Sequence, residues 1–311
     1  MDSKNVIAAI SLSAAVIILY GLFFAPEPKQ IQEIQDNQKN ELVQNSEIPK
    51  LVETKEVETI SRDEAINNSE RIYFENENIF GSISLSNGGV IDDYTFKRYN
   101  KELNSEEKII LLNPLNINNA YVFNTGWASS DKNIDLPNTE TKWKASQNKK
   151  LTPNNPITLF YENNQGLRFE RTISLDKKYL FNINQKIINN TEKTYKFYPY
   201  AYLHRNNVPE DLTNFYILHE GFVTVADGEL KEIDYDEIDE ESYSKKANTG
   251  YLAIGDKYWV TSIIPANGRS FRIDIDYKKK YRASYIDLEG LELSANTSIQ
   301  NNIKSIIGAK T

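Results

Sequence analysis

A long uncharged apolar segment near the amino terminus constrains this chain more than any other feature. Residues 6–25, VIAAISLSAAVIILYGLFFA, contain no charged residue and no proline. At about 1.5 Å rise per residue, a helix over these positions is roughly 30 Å long, which matches the hydrocarbon thickness of a bilayer. We therefore expect one transmembrane anchor at 6–25, with the lipid bilayer as its partner and the rest of the chain on one side.

The flanks of this segment bear on its orientation and on cleavage. Lys4 and the free amino terminus precede it, which favours a cytoplasmic location for residues 1–5. A cleaved secretory signal needs small residues at its exit, whereas Phe23 and Pro26 stand there. We interpret 6–25 as an uncleaved anchor, with a signal peptide as the alternative. Both interpretations place the rest of the chain outside the cytoplasm.

Residues 26–70 have the composition of a flexible polar linker. Gln, Glu, Lys, Asn and Ser dominate and apolar residues are isolated. Such a segment cannot bury enough apolar surface to offset the entropy cost of ordering it. A short docking helix at 31–43 is the alternative, because Ile31, Ile34 and Leu42 have near-helical spacing. As a tether, the linker would hold the following domain away from the membrane surface.

Residues 71–311 predict one all-β domain, a large antiparallel β-sandwich. Segments of alternating apolar and polar residues recur roughly every ten residues, as is typical of sandwiches. The clearest hairpin joins 79–85 to 90–96 through a turn in which Gly88 and Gly89 supply positive φ; a ligand-contacting loop is the alternative. Further strands are predicted at 157–162, 167–175, 179–188, 194–203, 250–254, 258–264, 269–277, 281–288 and 298–307.

Composition excludes several kinds of chemistry. The chain has no cysteine, which excludes disulfides, thiolate nucleophiles and cysteine-ligated metals. Its net charge of −8 argues against nucleic-acid binding, which needs a basic surface. Catalytic triads, phosphate-binding loops and metal-ligand spacings are not apparent, so we expect no catalytic, cofactor or metal site. The carboxylate-rich stretch 229–241 lacks the residue order of a calcium loop, and we interpret it as a solvated loop.

Several segments, taken in order, resemble one protein family. They are NGGVI at 87–91 with YTFKRY at 94–99, LRFERTISLD at 167–176, GDKYWVTSIIP at 255–265 and GAK at 308–310. Together with the apolar start, they resemble the amino-terminal part of the YidC membrane protein insertase family. The family-signature residues are Gly88, Gly89, Arg171, Asp256, Lys257, Tyr258, Trp259, Pro265, Gly308 and Lys310.

The resemblance implies a location and a function. Members of that family lie in the bacterial inner membrane, with a periplasmic domain of the supersandwich type behind the first anchor. They aid the insertion and folding of nascent membrane proteins, alone or with the Sec translocon. In the family, an amphipathic helix and five further membrane helices follow the Gly-x-Lys and form the insertion groove. We therefore expect this chain to be the anchored periplasmic module without the groove, as a fragment or a truncated product.

The signature residues themselves predict mostly structural roles. Alternation along a strand places Tyr258 and Trp259 on opposite faces, with one ring in the core. Asp256 and Lys257 precede that strand and are interpreted as turn residues.

A second hypothesis belongs to a different class of protein. The supersandwich is shared with sugar-binding proteins such as aldose mutarotases, so the alternative is an exported carbohydrate-binding or mutarotase-like domain. That chemistry needs a histidine and a carboxylate across a cleft. The two histidines, His204 and His219, lie in no recognisable motif of that kind, and we interpret both as surface or turn residues. We therefore predict that the domain is not an enzyme.

Overall fold

Two antiparallel β-sheets pack face to face around one large hydrophobic core. The structure is a computed structural model, and it describes residues 60–147, 150–213 and 219–310. The anchor predicted at 6–25 and most of the linker predicted at 26–70 lie outside these residues. Among the helices of the described ranges, none combines the length and the apolar character that a membrane span requires.

The described ranges contain nineteen strands and two helices of six residues each. In chain order they are α1 (Arg62–Asn67), β1 (Arg71–Glu75), β2 (Ile79–Ser84), β3 (Val90–Asn100), β4 (Lys108–Leu112), β5 (Tyr121–Ala128), β6 (Lys144–Ala145), β7 (Ile157–Glu162), β8 (Leu167–Leu175), β9 (Leu180–Asn189), β10 (Tyr195–Arg205), β11 (Gly221–Ala226), β12 (Glu229–Asp234), α2 (Tyr235–Glu240), β13 (Tyr243–Ala247), β14 (Gly250–Gly255), β15 (Trp259–Ile263), β16 (Phe271–Tyr277), β17 (Tyr281–Asp287), β18 (Leu291–Leu293) and β19 (Ser298–Ala309).

The first sheet has the strand order β1-β2-β3-β5-β10-β17-β16-β13, with β4 beside β3 and β18 beside β10. The second sheet has the order β12-β11-β14-β15-β19-β9-β8-β7-β6. Neighbouring strands of both sheets are antiparallel throughout. The predicted all-β antiparallel sandwich is thus confirmed for the described residues.

Period-two alternation explains the second sheet. Strand β8 buries every second residue from Leu167 to Leu175, and β9 repeats the pattern in register beside it. The buried faces point to the first sheet and the partly exposed faces point to solvent. The predicted strands 157–162 and 167–175 coincide with β7 and β8, because both have this half-buried pattern.

An aromatic cluster connects the two sheets at the centre of the core. The ring centroids of Phe74 on β1 and Phe181 on β9 are 5.3 Å apart with an edge-to-face angle of 82°. Tyr94 on β3 packs on Phe74 and donates its hydroxyl hydrogen to the carbonyl of Ile307 on β19. Each fully buried ring contributes about 2–3 kcal/mol of hydrophobic stabilisation, and here the rings also fix how the sheets align.

The acidic stretch 229–241 is not a solvated loop, which corrects the sequence interpretation. It forms β12 and α2, and it buries Ile233, Tyr235 and Ile238 beneath its carboxylates. The Glu237 carboxylate accepts a hydrogen bond from the backbone N–H of Asp234, at the start of α2. The antiparallel pairing of β12 with β11 and three spaced apolar side chains therefore hold this segment on the sandwich while its carboxylates remain in water.

Candidate functional site

A polar cleft opens where β5 and β10 of the first sheet meet β8 and β9 of the second. Its enclosed interior has room for about one or two water molecules, and its mouth opens to solvent. The turn between β2 and β3 and the connection between β5 and β6 form its rim. Its lining residues are Gly88, Asn124, Thr125, Gly126, Trp127, Pro137, Asn138, Thr139, Trp143, Glu170, Arg171, Gln185, Tyr200 and Tyr202.

Arg171 lies at the base of this cleft and donates to neutral acceptors. Its Nη1 donates to the carbonyl oxygen of Gly89 at 2.7 Å and to Asn124 Oδ1 at 3.0 Å. Its Nη2 donates to the carbonyl oxygen of Thr125 at 2.5 Å. The guanidinium carbon lies 4.7 Å from the centre of the Trp143 ring, within cation–π range. One side chain of β8 thus connects the β2–β3 turn to β5.

The Arg171 guanidinium is buried and has no carboxylate partner among the described residues. In the described part of the chain no Asp or Glu forms an ion pair with it, whereas buried Arg71 pairs with Asp92 and Arg205 pairs with Asp256. Burial accordingly lowers the pKa of Arg171 to about 10. The group is still cationic at neutral pH, so the cleft holds a desolvated positive charge.

The turn glycines supply two acceptors of Arg171 Nη1, the carbonyl oxygens of Gly89 and, at 3.4 Å, of Gly88. Gly88 and Gly89 have φ of 76° and 68°, which confirms the predicted left-handed turn. A Cβ on Gly88 would lie 2.6 Å from the carbonyl oxygen of Asn138, and one on Gly89 would lie 3.0 Å from Arg171 Nη1. Gly88 therefore needs glycine for space as well as for conformation, and Gly89 needs it for conformation. Gly88 also lines the cleft, and the ligand-contacting alternative stays a prediction.

The remaining signature residues form a second group, away from the cleft lining. Strand β15 pairs with the end of β19, so that Trp259 lies opposite Ala309 and the residue after it opposite Gly308. The backbone N–H of Lys310 donates to the carbonyl of Tyr258 at 2.8 Å. The GDKYW and GAK segments are thus neighbours in space, whereas Pro265 is buried beyond the other end of β15.

Asp256 does more than shape a turn, which extends the sequence interpretation. Its backbone N–H donates to the carbonyl of Trp259 at 2.8 Å and closes the β14–β15 turn, as expected. Its carboxylate is buried and accepts from Arg205 Nη1 on β10 at 2.5 Å. The turn therefore carries an ion pair between the sheets, which the turn composition alone does not reveal.

Tyr258 and Trp259 occupy different environments. Tyr258 is 54% exposed and precedes β15 rather than belonging to it. Trp259 packs on Phe96 with 4.4 Å between ring centroids, and on Tyr99 with 5.0 Å. Trp259 is the inward ring of the predicted pair, while Tyr258 faces solvent with the Lys257 ammonium 5.2 Å from its ring centre.

Gly308 and Lys310 adapt the end of β19 to its neighbours. A Cβ at Gly308 would lie 2.6 Å from Cβ of Tyr179, so the Tyr179 side chain occupies the space that glycine leaves. Lys310 Nζ donates to the carbonyl of His219 at 3.2 Å. Both residues serve packing between β19 and adjacent segments.

The interpretation of His204 as a surface residue is wrong. It is 4% exposed on β10, where its Nε2 donates to Asn206 Oδ1 at 3.2 Å. On β10 it shares a face with Tyr200 and Tyr202, which belong to a second apolar cluster on that side of the sheet. Burial, aided by Lys280 and Arg282, lowers the pKa of His204 to about 4, so the ring is neutral at physiological pH.

His219 is partly exposed just before β11, as expected, and donates Nε2–H to the carbonyl of Phe222 at 2.9 Å. Neither histidine lines the cleft described above. No group of three or more metal-ligating side chains was found within the described ranges.

Comparison with known proteins places these observations in a family. The family model described as the YidC periplasmic domain matches residues 71–311. Membrane protein insertase YidC of Pelagibacter ubique (strain HTCC1062) is 49% identical over 310 residues, which are 100% of this chain and 55% of that protein. The YidC of Rickettsia felis is 33% identical over 317 residues, with 98% of this chain and 55% of that protein covered. The chain thus spans about half the length of these relatives.

A solved structure supports the fold assignment. The galactose mutarotase related enzyme from Lactobacillus acidophilus superimposes with a TM-score of 0.51 and 12% identity, over 78% of this chain and 98% of that one. At this identity the likeness concerns the fold alone. With a family model that matches its whole β-sandwich and relatives that match along its length, this chain belongs to the YidC membrane protein insertase family.

Proposed function

We propose that this chain is the membrane-anchored periplasmic module of a membrane protein insertase. In this assignment residues 1–5 are cytoplasmic, 6–25 span the inner membrane, 26–70 form a polar linker and 71–311 fold as the periplasmic β-sandwich. The observation that carries the proposal is the family match at 71–311, which lies behind an uncharged apolar segment of membrane-spanning length.

The module acts, on this proposal, by binding and positioning rather than by catalysis. Its relatives are named membrane protein insertases, and they extend well beyond the portion that this chain matches. We assign the insertion groove to that further portion. The β-sandwich would support nascent membrane proteins outside the bilayer, alone or beside the Sec translocon.

The geometry of the cleft favours this assignment over a mutarotase-like enzyme. Proton transfer at a sugar ring needs a histidine and a carboxylate that face each other. Of the described residues that line the cleft, Glu170 is the only carboxylate and none is a histidine; Glu170 accepts from Arg168 Nε at 2.7 Å. The mutarotase-like alternative therefore rests on the fold alone, and titration with glucose or galactose is expected to release no heat.

The membrane topology of the full chain and its contact with nascent membrane proteins can both be tested. Alkaline phosphatase fused after Thr311 should be active and green fluorescent protein at the same position dark, with the fusion retained in membranes after carbonate extraction. A matched chain that lacks 6–25 should lose both the membrane retention and the phosphatase activity.

A photocrosslinker at exposed Tyr258 should capture nascent membrane proteins, and the same probe at exposed Leu230 serves as the comparison site. A fluorescent, phosphatase-negative fusion would contradict the proposal.

A further inference from the structure

Four short segments of the chain combine lysine or arginine with tyrosine in the same way. They are KRY at 97–99, KKY at 177–179, KYW at 257–259 and YKKKY at 277–281. The first lies at the end of β3, and the other three form the β8–β9, β14–β15 and β16–β17 turns with residues beside them. One combination of side chains thus recurs at four places that are distant in sequence.

The fold brings the first three segments together. Phe96 of β3 packs on Tyr179 with ring centroids 6.1 Å apart and on Trp259 with 4.4 Å. Tyr99 packs on Trp259 at 5.0 Å, and both Tyr99 and Arg98 lie beside the Tyr179 hydroxyl. The end of β3, the β8–β9 turn and the β14–β15 turn therefore share one end of the sandwich.

The fourth segment lies at the same end. Tyr281 is opposite Arg205 in the register of β17 with β10. The Arg205 guanidinium pairs with Asp256, the residue before Lys257. The tip of the β16–β17 hairpin and the β14–β15 turn thus extend from the same level of the two sheets. The four segments together define what we call the basic-aromatic end.

This end has an excess of cations. The ion pairs of the described ranges include none of seven of its basic residues. These residues are Arg98, Lys177, Lys178, Lys257, Lys278, Lys279 and Lys280. The whole chain has a net charge of −8, so the basic-aromatic end is opposite in sign to the average of the molecule.

The nearest carboxylates in sequence are engaged within the protein. Asp176, before the second segment, accepts two backbone N–H groups of its own turn. Asp256, before the third segment, is buried in its pair with Arg205. Two carboxylates of α2 lie near Tyr281 and offset part of the charge of the fourth segment. The first three segments therefore carry the clearest positive charge.

We propose that the basic-aromatic end binds the surface of a bilayer that contains anionic phospholipid. Tyrosine and tryptophan favour the headgroup region, because their rings are apolar and their polar atoms stay hydrated there. Tyr99, Tyr258 and Tyr277 are 39%, 54% and 40% exposed, so their rings are accessible. Lysine and arginine attract the anionic headgroups. The anchor proposed at 6–25 would hold this end near the membrane at a high effective concentration, which favours a weak surface contact.

Lipid contact can be measured in the full chain reconstituted into vesicles. Because the chain has no cysteine, Glu77→Cys and Glu192→Cys each accept one fluorescent label. Position 77 is exposed in the β1–β2 turn, where Asn78 Nδ2 donates to the carbonyl of Lys177 at 2.8 Å. Position 192 is exposed in the β9–β10 turn, at the other end of β9.

The quenching lipid carries a nitroxide on its headgroup. In vesicles of equal parts phosphatidylcholine and phosphatidylglycerol, we expect it to quench the label at 77 at least about threefold more than the label at 192. In phosphatidylcholine alone the difference should largely disappear, because the anionic headgroups are absent.

Matched pairs of lysines test the charge. Lys177→Gln/Lys178→Gln removes two cations from the basic-aromatic end. Lys142→Gln/Lys193→Gln removes two exposed cations before β6 and in the β9–β10 turn, and serves as the control. Since each cation near an anionic surface contributes about a fivefold factor, the first pair should lower the ratio of docked to free chain at least about tenfold, as reported by the label at 77. The control pair should leave that ratio unchanged.

Three results would overturn the proposal. Equal quenching at positions 77 and 192, or quenching at 77 that does not depend on phosphatidylglycerol, would show that this end does not recognise an anionic surface. Equal losses in the two lysine pairs would show that only the total charge matters. Quenching that appears only after addition of a membrane-spanning peptide would assign this end to nascent proteins instead. The vesicles contain no other protein, so the result does not depend on the insertase role proposed above.

Discussion

Arg205 on β10 and Asp256 in the β14–β15 turn form a buried ion pair that connects the two sheets, with Nη1 and Oδ1 2.5 Å apart. The Arg205 guanidinium also lies 4.8 Å from the ring centre of Tyr121 and donates to the hydroxyl of Tyr235 at 3.3 Å. Desolvation raises the pKa of Asp256 while Arg205 opposes that rise. The pair is thus a costly buried arrangement that is tolerable only while both partners are present.

Asp256→Asn should therefore destabilise the domain strongly. It leaves the Arg205 cation buried without its counter-charge, and the expected loss is about 3–5 kcal/mol in the free energy of unfolding, measured by urea denaturation. Glu107→Gln, which breaks the exposed pair with Lys101, is the control and should leave the unfolding midpoint unchanged. Recovery of most of the loss in Arg205→Met/Asp256→Leu would support the mechanism, and an Asp256→Asn variant of normal stability would contradict it.

The buried histidine predicts a pH dependence of stability. The pKa of His204 is lowered from 6.5 to about 4 in the folded chain. Between these values the unfolded state binds more protons, so stability falls as pH decreases from about 6.5 to about 4. The contribution lost is about 3 kcal/mol.

His204→Gln keeps a donor for Asn206 and cannot titrate, so the stability of this variant should fall less over that pH range. The measurement is the urea midpoint of both proteins at a series of pH values from neutral to acid. His219→Gln is the matched control, since it removes the other histidine of the chain. Parallel pH curves for the wild type and His204→Gln would rule out the assignment.

The glycine of the cleft rim is expected to be needed for space. Gly88 and Gly268 have φ of 76° and 82°, so alanine costs about 1–2 kcal/mol of backbone strain at either position. At Gly88 the new Cβ would also lie 2.6 Å from the carbonyl oxygen of Asn138, whereas nothing lies within 4 Å at Gly268.

Gly88→Ala should therefore be more destabilising than Gly268→Ala, by about 1–3 kcal/mol. Thermal unfolding of both variants measures the difference. Equal losses would mean that the rim moves freely and that the carbonyl of Gly88 does not need its position near Arg171.

Strands that bury one face can be predicted from the sequence, whereas strands that bury both faces cannot. Strands β7 and β8 were predicted with their observed bounds, since one face is solvated and the alternation is visible. Strand β5 was not predicted, because all eight of its residues are buried and the period-two pattern disappears. In β12 and α2 the abundance of carboxylates obscured the few buried apolar residues.

For the cleft, too, the sequence predicts which residues are buried but not which residues they contact. Alternation along β8 places Arg171 on the face that carries Leu167, Phe169 and Ile173, so its burial can be predicted from the sequence. Its partners cannot, because Gly89 and Thr125 approach only when the two sheets pack. The burial of His204 cannot be predicted for a related reason, since the apolar cluster on its face combines residues of β3, β5, β10 and β17, which are distant in sequence.

Two adjacent aromatic residues of the family signature should differ sharply in their effect on stability. Trp259 contacts Phe96 and Tyr99, and Trp259→Ala should cost about 3–5 kcal/mol because it leaves a cavity under the end of β15. Tyr258 is 54% exposed, and Tyr258→Ala should change the free energy of unfolding by about 0.5 kcal/mol or less. Urea denaturation of the two variants under identical conditions measures both values. If Tyr258→Ala remained stable but lost crosslinking to nascent membrane proteins, the exposed Tyr258 ring would contact these proteins, and the buried Trp259 ring would stabilise the fold. Comparable destabilisation by both substitutions would show that Tyr258 is packed rather than free.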